Sequence, residues 1–189
     1  MKNLAIVVGH NSRSQGAVRP DTGESEYSYN TRLAKMIKDE AEGSGMRCEI
    51  FYRRPGLGYT REIREVYRET DSWGADATIE LHFNAAGSPH ASGTETFTSG
   101  SARSAILAQE VQMEMVEELG LRDRGVKVRN TRTRGRGYRS LVSGRAPAIL
   151  IEPFFATSTA GQKATDDSIE QANLAQAIVA GAVKAFEQF

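Results

Sequence analysis

Cysteine is almost absent from this 189-residue chain, which holds Cys48 alone. No intrachain disulfide can form, and nothing points to an oxidising compartment. Set two residues before Ile50, Cys48 reads as a small buried apolar residue. Long apolar runs are also missing. Residues 4–8 are too few for a signal-peptide core with its cleavage site, and no stretch reaches membrane-spanning length. The expectation is synthesis in the cytoplasm without a signal peptide and no stable membrane insertion. Net charge is lacking too, 24 Lys and Arg balancing 24 Asp and Glu, so overall charge indicates neither nucleic acid nor a membrane surface. No internal repeat or linker divides the chain. Residues 1–189 are therefore expected to form a single domain, long enough to bury a substantial core.

That balance hides a local excess. Residues 122–139 carry eight Lys or Arg against Asp123 alone, so the remainder is correspondingly acidic. A solvated basic loop and a patch gripping an anionic polymer both fit. A nucleic-acid partner is not expected, because the segment has no aromatic stacking platform beyond Tyr138.

Residues 4–8 are a short continuous apolar run of the kind found in strands covered on both faces. Tyr29, Leu33, Met36 and Ile37 recur at helical spacing within residues 25–42, and Gly43 and Gly45 end that helix. Residues 47–53 alternate as a strand, and Ile63, Val66 and Tyr67 mark a helix ending near Gly74. Residues 77–83, 94–98 and 148–152 read as further strands, and 101–119 and 168–186 as helices. Residues 11–23 read as a polar loop over the site, and 122–144 as mostly irregular. Strands alternating with helices predict an α/β fold. It should have a twisted, mostly parallel or mixed sheet of about six strands, flanked by helices on both faces.

Three apolar runs end in a reactive side chain. His10 follows Ile6-Val7-Val8-Gly9, His82 follows Ala77-Thr78-Ile79-Glu80-Leu81, and Glu152 closes Ala148-Ile149-Leu150-Ile151. In open α/β sheets the site lies at the carboxyl ends of strands, where all three fall. Two histidines and a carboxylate are a recurring ligand set for catalytic zinc, with one position left for water. A zinc hydrolase needs a further glutamate as general base. Glu24 and Glu26, both at the start of the first long helix, are available as third ligand, and either also suits the helix dipole. His90, in a turn, is better read as a surface or substrate-side residue. Glu152 would be costly to bury unpaired, and a nearby metal or water would offset the cost. Asn84 suits a supporting or substrate hydrogen bond, or a turn cap; Glu95 is divided between structure and site. Together these residues indicate a zinc-dependent hydrolase.

The ordered set His10, Glu26, His82-Phe83-Asn84-Ala85, Gly93-Thr94-Glu95-Thr96-Phe97, Arg124-Gly125-Val126-Lys127 and Leu150-Ile151-Glu152 resembles a known family across essentially the whole chain. That family is the zinc-dependent N-acetylmuramoyl-L-alanine amidases of the amidase-3 type, which are peptidoglycan hydrolases. The resemblance implies one Zn2+ per chain held by His10, Glu26 and His82. Glu26, followed by Asn30 and Ala34, matches the family register and Glu24 does not. Glu152 would be the catalytic glutamate. The bond cut would be the amide between N-acetylmuramic acid and L-alanine of the stem peptide, with peptidoglycan as partner. The sequence leaves the oligomeric state open, with a monomer as the expectation. The first motif departs from the family's Asp-Pro-Gly-His-Gly-Gly: here it is Val7-Val8-Gly9-His10-Asn11-Ser12, without the later glycines. Pro153 is also unusual. Neither departure removes a chemical group. A bare catalytic domain with no wall-binding domain suits a phage or prophage endolysin that acts on the cell wall after release. Arg124, Lys127 and the arginines to Arg139 would face stem-peptide carboxylates or anionic wall polymers. The alternatives are a zinc carboxypeptidase or other peptidase acting on wall peptides, and an inactive wall-binding homologue.

Overall fold

Six strands form one sheet in the computed structural model, which describes residues 1–88 and 90–189. They are β1 (Asn3–Val8), β2 (Arg47–Tyr52), β3 (Ala77–Leu81), β4 (Thr94–Thr98), β5 (Asp123–Val128) and β6 (Ala148–Glu152), in the spatial order β2-β1-β3-β6-β4-β5. The first four in that order run parallel; β4 is antiparallel to β6 and parallel to β5. The helices are α1 (Glu26–Gly43), α2 (Tyr59–Trp73), α3 (Ala102–Leu119), α4 (Tyr138–Ser143), α5 (Thr159–Lys163) and α6 (Ser168–Phe186). This is the α/β sheet flanked by helices that the alternating patterns predict.

The pleat of a strand sends successive side chains to opposite faces. Leu4, Ile6, Val8, Ile79, Leu81, Ile149 and Ile151 enter the main core with α1, α3 and α6. Val7 and Ala148 point the other way and meet Ile63, Val66 and Tyr67 of α2. Central parallel strands covered on both faces are apolar at nearly every position, which is why their runs are so legible. A capping box between Asp167 and Glu170 starts α6. At the amino edge of β1, Lys2 Nζ donates to the Phe189 carbonyl at 3.0 Å, so the two ends of the chain meet there. Among the described residues no helix is long and apolar enough to cross a membrane. Cys48 is a buried free thiol.

One segment differs from its sequence expectation. Residues 122–144 contain the edge strand β5 and the short helix α4 rather than mostly irregular chain. Two of the charges that suggested a solvated loop are cross-strand partners instead: Arg124 and Lys127 of β5 pair with Glu95 of β4, while Arg132 and Arg134 stay exposed. Leu141 of α4 packs on Phe97 and Leu150, extending the second face of the sheet.

Candidate metal and catalytic site

Because β1, β3 and β6 are adjacent and parallel, their carboxyl ends bring His10, His82 and Glu152 to one edge of the sheet. His10 has φ 65, in the left-handed region that side chains with a Cβ rarely occupy. The chain turns sharply there as it leaves the strand. Ser25 caps α1 by accepting from Ser28 N, which makes Glu26 the first helical residue. Its carboxylate is buried and fully engaged. Oε1 accepts from Phe83 N at 3.0 Å and Oε2 from Ala17 N at 3.2 Å. His82 Nδ1 lies 2.8 Å from Oε1, and His10 Nε2 lies 3.1 Å from Oε2. One donor atom from each of the three side chains lies within 4.8 Å of the other two. Glu24, the other possible ligand, pairs with Arg32 on the surface. His90 is exposed and outside the cluster.

The donor set fits zinc, for which imidazole nitrogen and carboxylate oxygen are ordinary ligands. Burial pushes the Glu26 carboxyl up, but hydrogen bonds from His10 and His82 outweigh it and hold it well below the usual carboxylate range. Burial pushes His82 down, yet its contacts with Glu26 and Glu80 lift it to about 9. Negative charge that favours a proton on His82 favours a metal cation for the same reason.

Gly16 closes the cluster from the loop of residues 11–23. With φ 80, it would carry a Cβ 2.6 Å from Glu26 Oε2 and 2.8 Å from His10 Nε2, so only glycine fits. Gly16→Ala is expected to displace one of these two side chains and weaken zinc binding about tenfold or more. Competition with a chromophoric chelator would measure it; wild-type affinity would show that the loop does not press on the cluster.

Glu152 is fully buried, and neither carboxylate oxygen has an aligned hydrogen-bond donor. Arg136 Nη2 stands 3.1 Å from Oε1, an ion pair by distance but not by hydrogen-bond direction. The other terminal guanidinium nitrogen, Nη1, donates to Asn84 Oδ1 at 3.1 Å, and Asn84 Nδ2 donates to Glu95 Oε1 at 2.8 Å. Glu95 is the register partner of Glu152 across β4 and β6. Asn84 and Glu95 thus belong to one polar bridge beside Glu152. Burial is the main cause that raises the Glu152 carboxyl to about 7; His82 and Arg136 oppose it, while Glu26 and Glu95 reinforce it. A carboxyl poised there can both take and return a proton near neutral pH. A cavity of about 410 Å³ opens beside His10 and His82, bordered also by Asn11, Tyr59, Glu62 and Arg136.

Sequence reasoning does not single out Arg136, Glu62, Arg53, Tyr67 or Glu80. Glu80 alone left a readable sign: a carboxylate inside an apolar strand, in phase with His82.

A family model described as N-acetylmuramoyl-L-alanine amidase matches residues 4–184. The chain belongs to this amidase family. Its relatives include the N-acetylmuramoyl-L-alanine amidase LytC of Bacillus subtilis (strain 168), 27% identical over 185 residues; the match covers 96% of this chain and 35% of LytC. The amidase-family chain thus spans about a third of LytC's length. An N-acetylmuramoyl-L-alanine amidase from Clostridium difficile 630 superimposes with TM-score 0.81 at 25% identity, covering 98% of this chain and 97% of that one. The catalytic domain of CwlV from Bacillus (Paenibacillus) polymyxa var. colistinus does so with TM-score 0.83 at 20% identity, covering 99% of each chain, a likeness of fold.

Proposed function

We propose that this amidase-family chain hydrolyses the amide between N-acetylmuramic acid and L-alanine of the peptidoglycan stem peptide, as one zinc-dependent catalytic domain. The observation that carries this is the buried, donor-poor Glu152 at the same sheet edge as a His–Glu–His cluster. The family match and the likeness to LytC support the choice of bond. His10, Glu26 and His82 would hold the zinc, which when bound supplies Lewis acidity that lowers the pKa of a water and polarises a carbonyl.

Glu152 accepts the proton of the attacking water at a carboxylate oxygen. It then delivers that proton to the amide nitrogen as the carbon–nitrogen bond breaks, because an unprotonated amine leaves poorly. Burial raises the Glu152 carboxyl and makes both halves of the transfer feasible near neutrality. Arg136 holds its positive charge beside the same carboxylate and favours the ionised form.

Arg136→Ala removes that favourable charge, so the Glu152 carboxyl rises further and a higher pH is needed to ionise it. The acid limb of the kcat/KM profile is expected to move to higher pH, with the largest loss below pH ~7. Because Arg136 is half-exposed, the difference from wild type should shrink as salt rises. An unmoved acid limb would remove Arg136 from this role.

Zinc content and product analysis test the function itself. An amidase releases intact stem peptides beginning with L-alanine; a carboxypeptidase releases single C-terminal residues; an inactive homologue releases nothing. Either of the last two results would sink the proposal.

A further inference from the structure

Glu80 has no solvent exposure and lies on β3 two residues before His82. A carboxylate in such a place is costly unless fully partnered, and the hydrolytic chemistry above does not use it. Its partners converge from three directions. Tyr67 of α2 donates its hydroxyl to Oε2 at 2.8 Å, and Arg53, just beyond β2, donates from Nη2 to Oε1. His82 Nε2 lies 2.9 Å from the same Oε1. An ionised carboxylate only accepts hydrogen bonds, so Glu80 can meet His82 only through an Nε2–H.

A neutral imidazole carries one N–H. Once that proton sits on Nε2, the Nδ1 lone pair faces Glu26 Oε1, 2.8 Å away and on the side where His10 completes the cluster. Packing blocks the ring from turning away. A Cβ on Gly9 would lie 2.5 Å from His82 Cε1 and 2.6 Å from Nε2, so the imidazole already fills the space against the end of β1.

We propose that Glu80 is a positioning residue of the metal site: it fixes His82 as the Nε2–H tautomer with Nδ1 free for the metal, and Arg53 and Tyr67 hold it there. The proposal rests on the zinc reading given above. A charged acceptor behind a ligating imidazole also makes the ligand nitrogen more basic, which strengthens the metal bond.

Three measurements on the full chain test this. Long-range imidazole 1H–15N spectra of the zinc-loaded wild type should show His82 protonated at Nε2. Glu80→Gln, nearly isosteric and still able to offer Nε2–H a neutral oxygen, should bind zinc about 10- to 100-fold more weakly by chelator competition. The cobalt-substituted variant should also show a shifted visible spectrum, which a purely structural Glu80 would not produce. A His82 protonated at Nδ1, or a folded Glu80→Gln with wild-type zinc affinity and an unchanged cobalt spectrum, would overturn the proposal. Should the wild type itself take up no zinc, both this proposal and the zinc reading fall; should only the Glu80 comparisons fail, the zinc reading stands.

Discussion

Glu152→Gln is expected to keep zinc stoichiometry and fold while lowering kcat by about 10²- to 10⁴-fold, the range for removing a positioned acid–base group. The substitution preserves side-chain volume and removes a buried charge that has no aligned donor. Thermal stability should therefore hold or rise slightly, and the loss should fall on turnover. The acid limb assigned to this carboxyl should vanish with it. Glu95 is poorly placed to take over the role, since Arg124, Lys127 and Asn84 already engage its oxygens. Steady-state release of stem peptides beside metal analysis would check this. Turnover within about tenfold of wild type would show that the proton moves through another group.

The largest expected effect on stability comes from Arg53→Met. Arg53 is 6% exposed and Glu80 0%, so their ion pair is shielded from water. Burial works against the Arg53 charge, but Glu80 outweighs it and holds the guanidinium above its ordinary value. Removing Arg53 leaves the buried Glu80 charge with only Tyr67 and His82 as partners, and breaking a buried ion pair typically costs about 3–5 kcal/mol. In a domain of this size that corresponds to roughly 6–20 °C in Tm. Replacing both members together, Arg53→Met with Glu80→Leu, should recover only part of that loss: an apolar pair of similar volume is often no less stable, but Tyr67 and His82 lose their buried acceptor. Calorimetry on the two variants separates the alternatives. If Arg53→Met melts within about 2 °C of wild type, the pair does not behave as a buried one.

What the sequence revealed about this molecule, and what it concealed, follow from how each residue is held. His10, His82 and Glu152 stood out because buried parallel strands are almost wholly apolar, so a polar residue at the carboxyl end interrupts a clear pattern. Glu26 was ambiguous with Glu24 on composition alone. The cap at Ser25 and the helix register decide which carboxylate turns inward. Strand β5 was hidden because Arg124 and Lys127 read as solvated charge until Glu95, 29 and 32 residues earlier, is placed beside them. Glu80 showed as a carboxylate within an apolar run, but its role was hidden for the same reason. Its partners Tyr67 and Arg53 lie 13 and 27 residues back, on separate elements. Arg136 reaches the site from a glycine-rich connection in which Gly135 and Gly137 take φ 88 and 78, a path that no periodicity announces.

The meeting of Lys2 with Phe189 has a practical consequence for handling and architecture. Both chain ends lie at the amino end of β1, and His10 lies just beyond its carboxyl end. Six residues of strand put roughly 20 Å between those poles. A tether, reporter or further module joined at either end would start from the pole opposite the candidate site. Anchored to a solid support by either tail, the molecule should present that site outward.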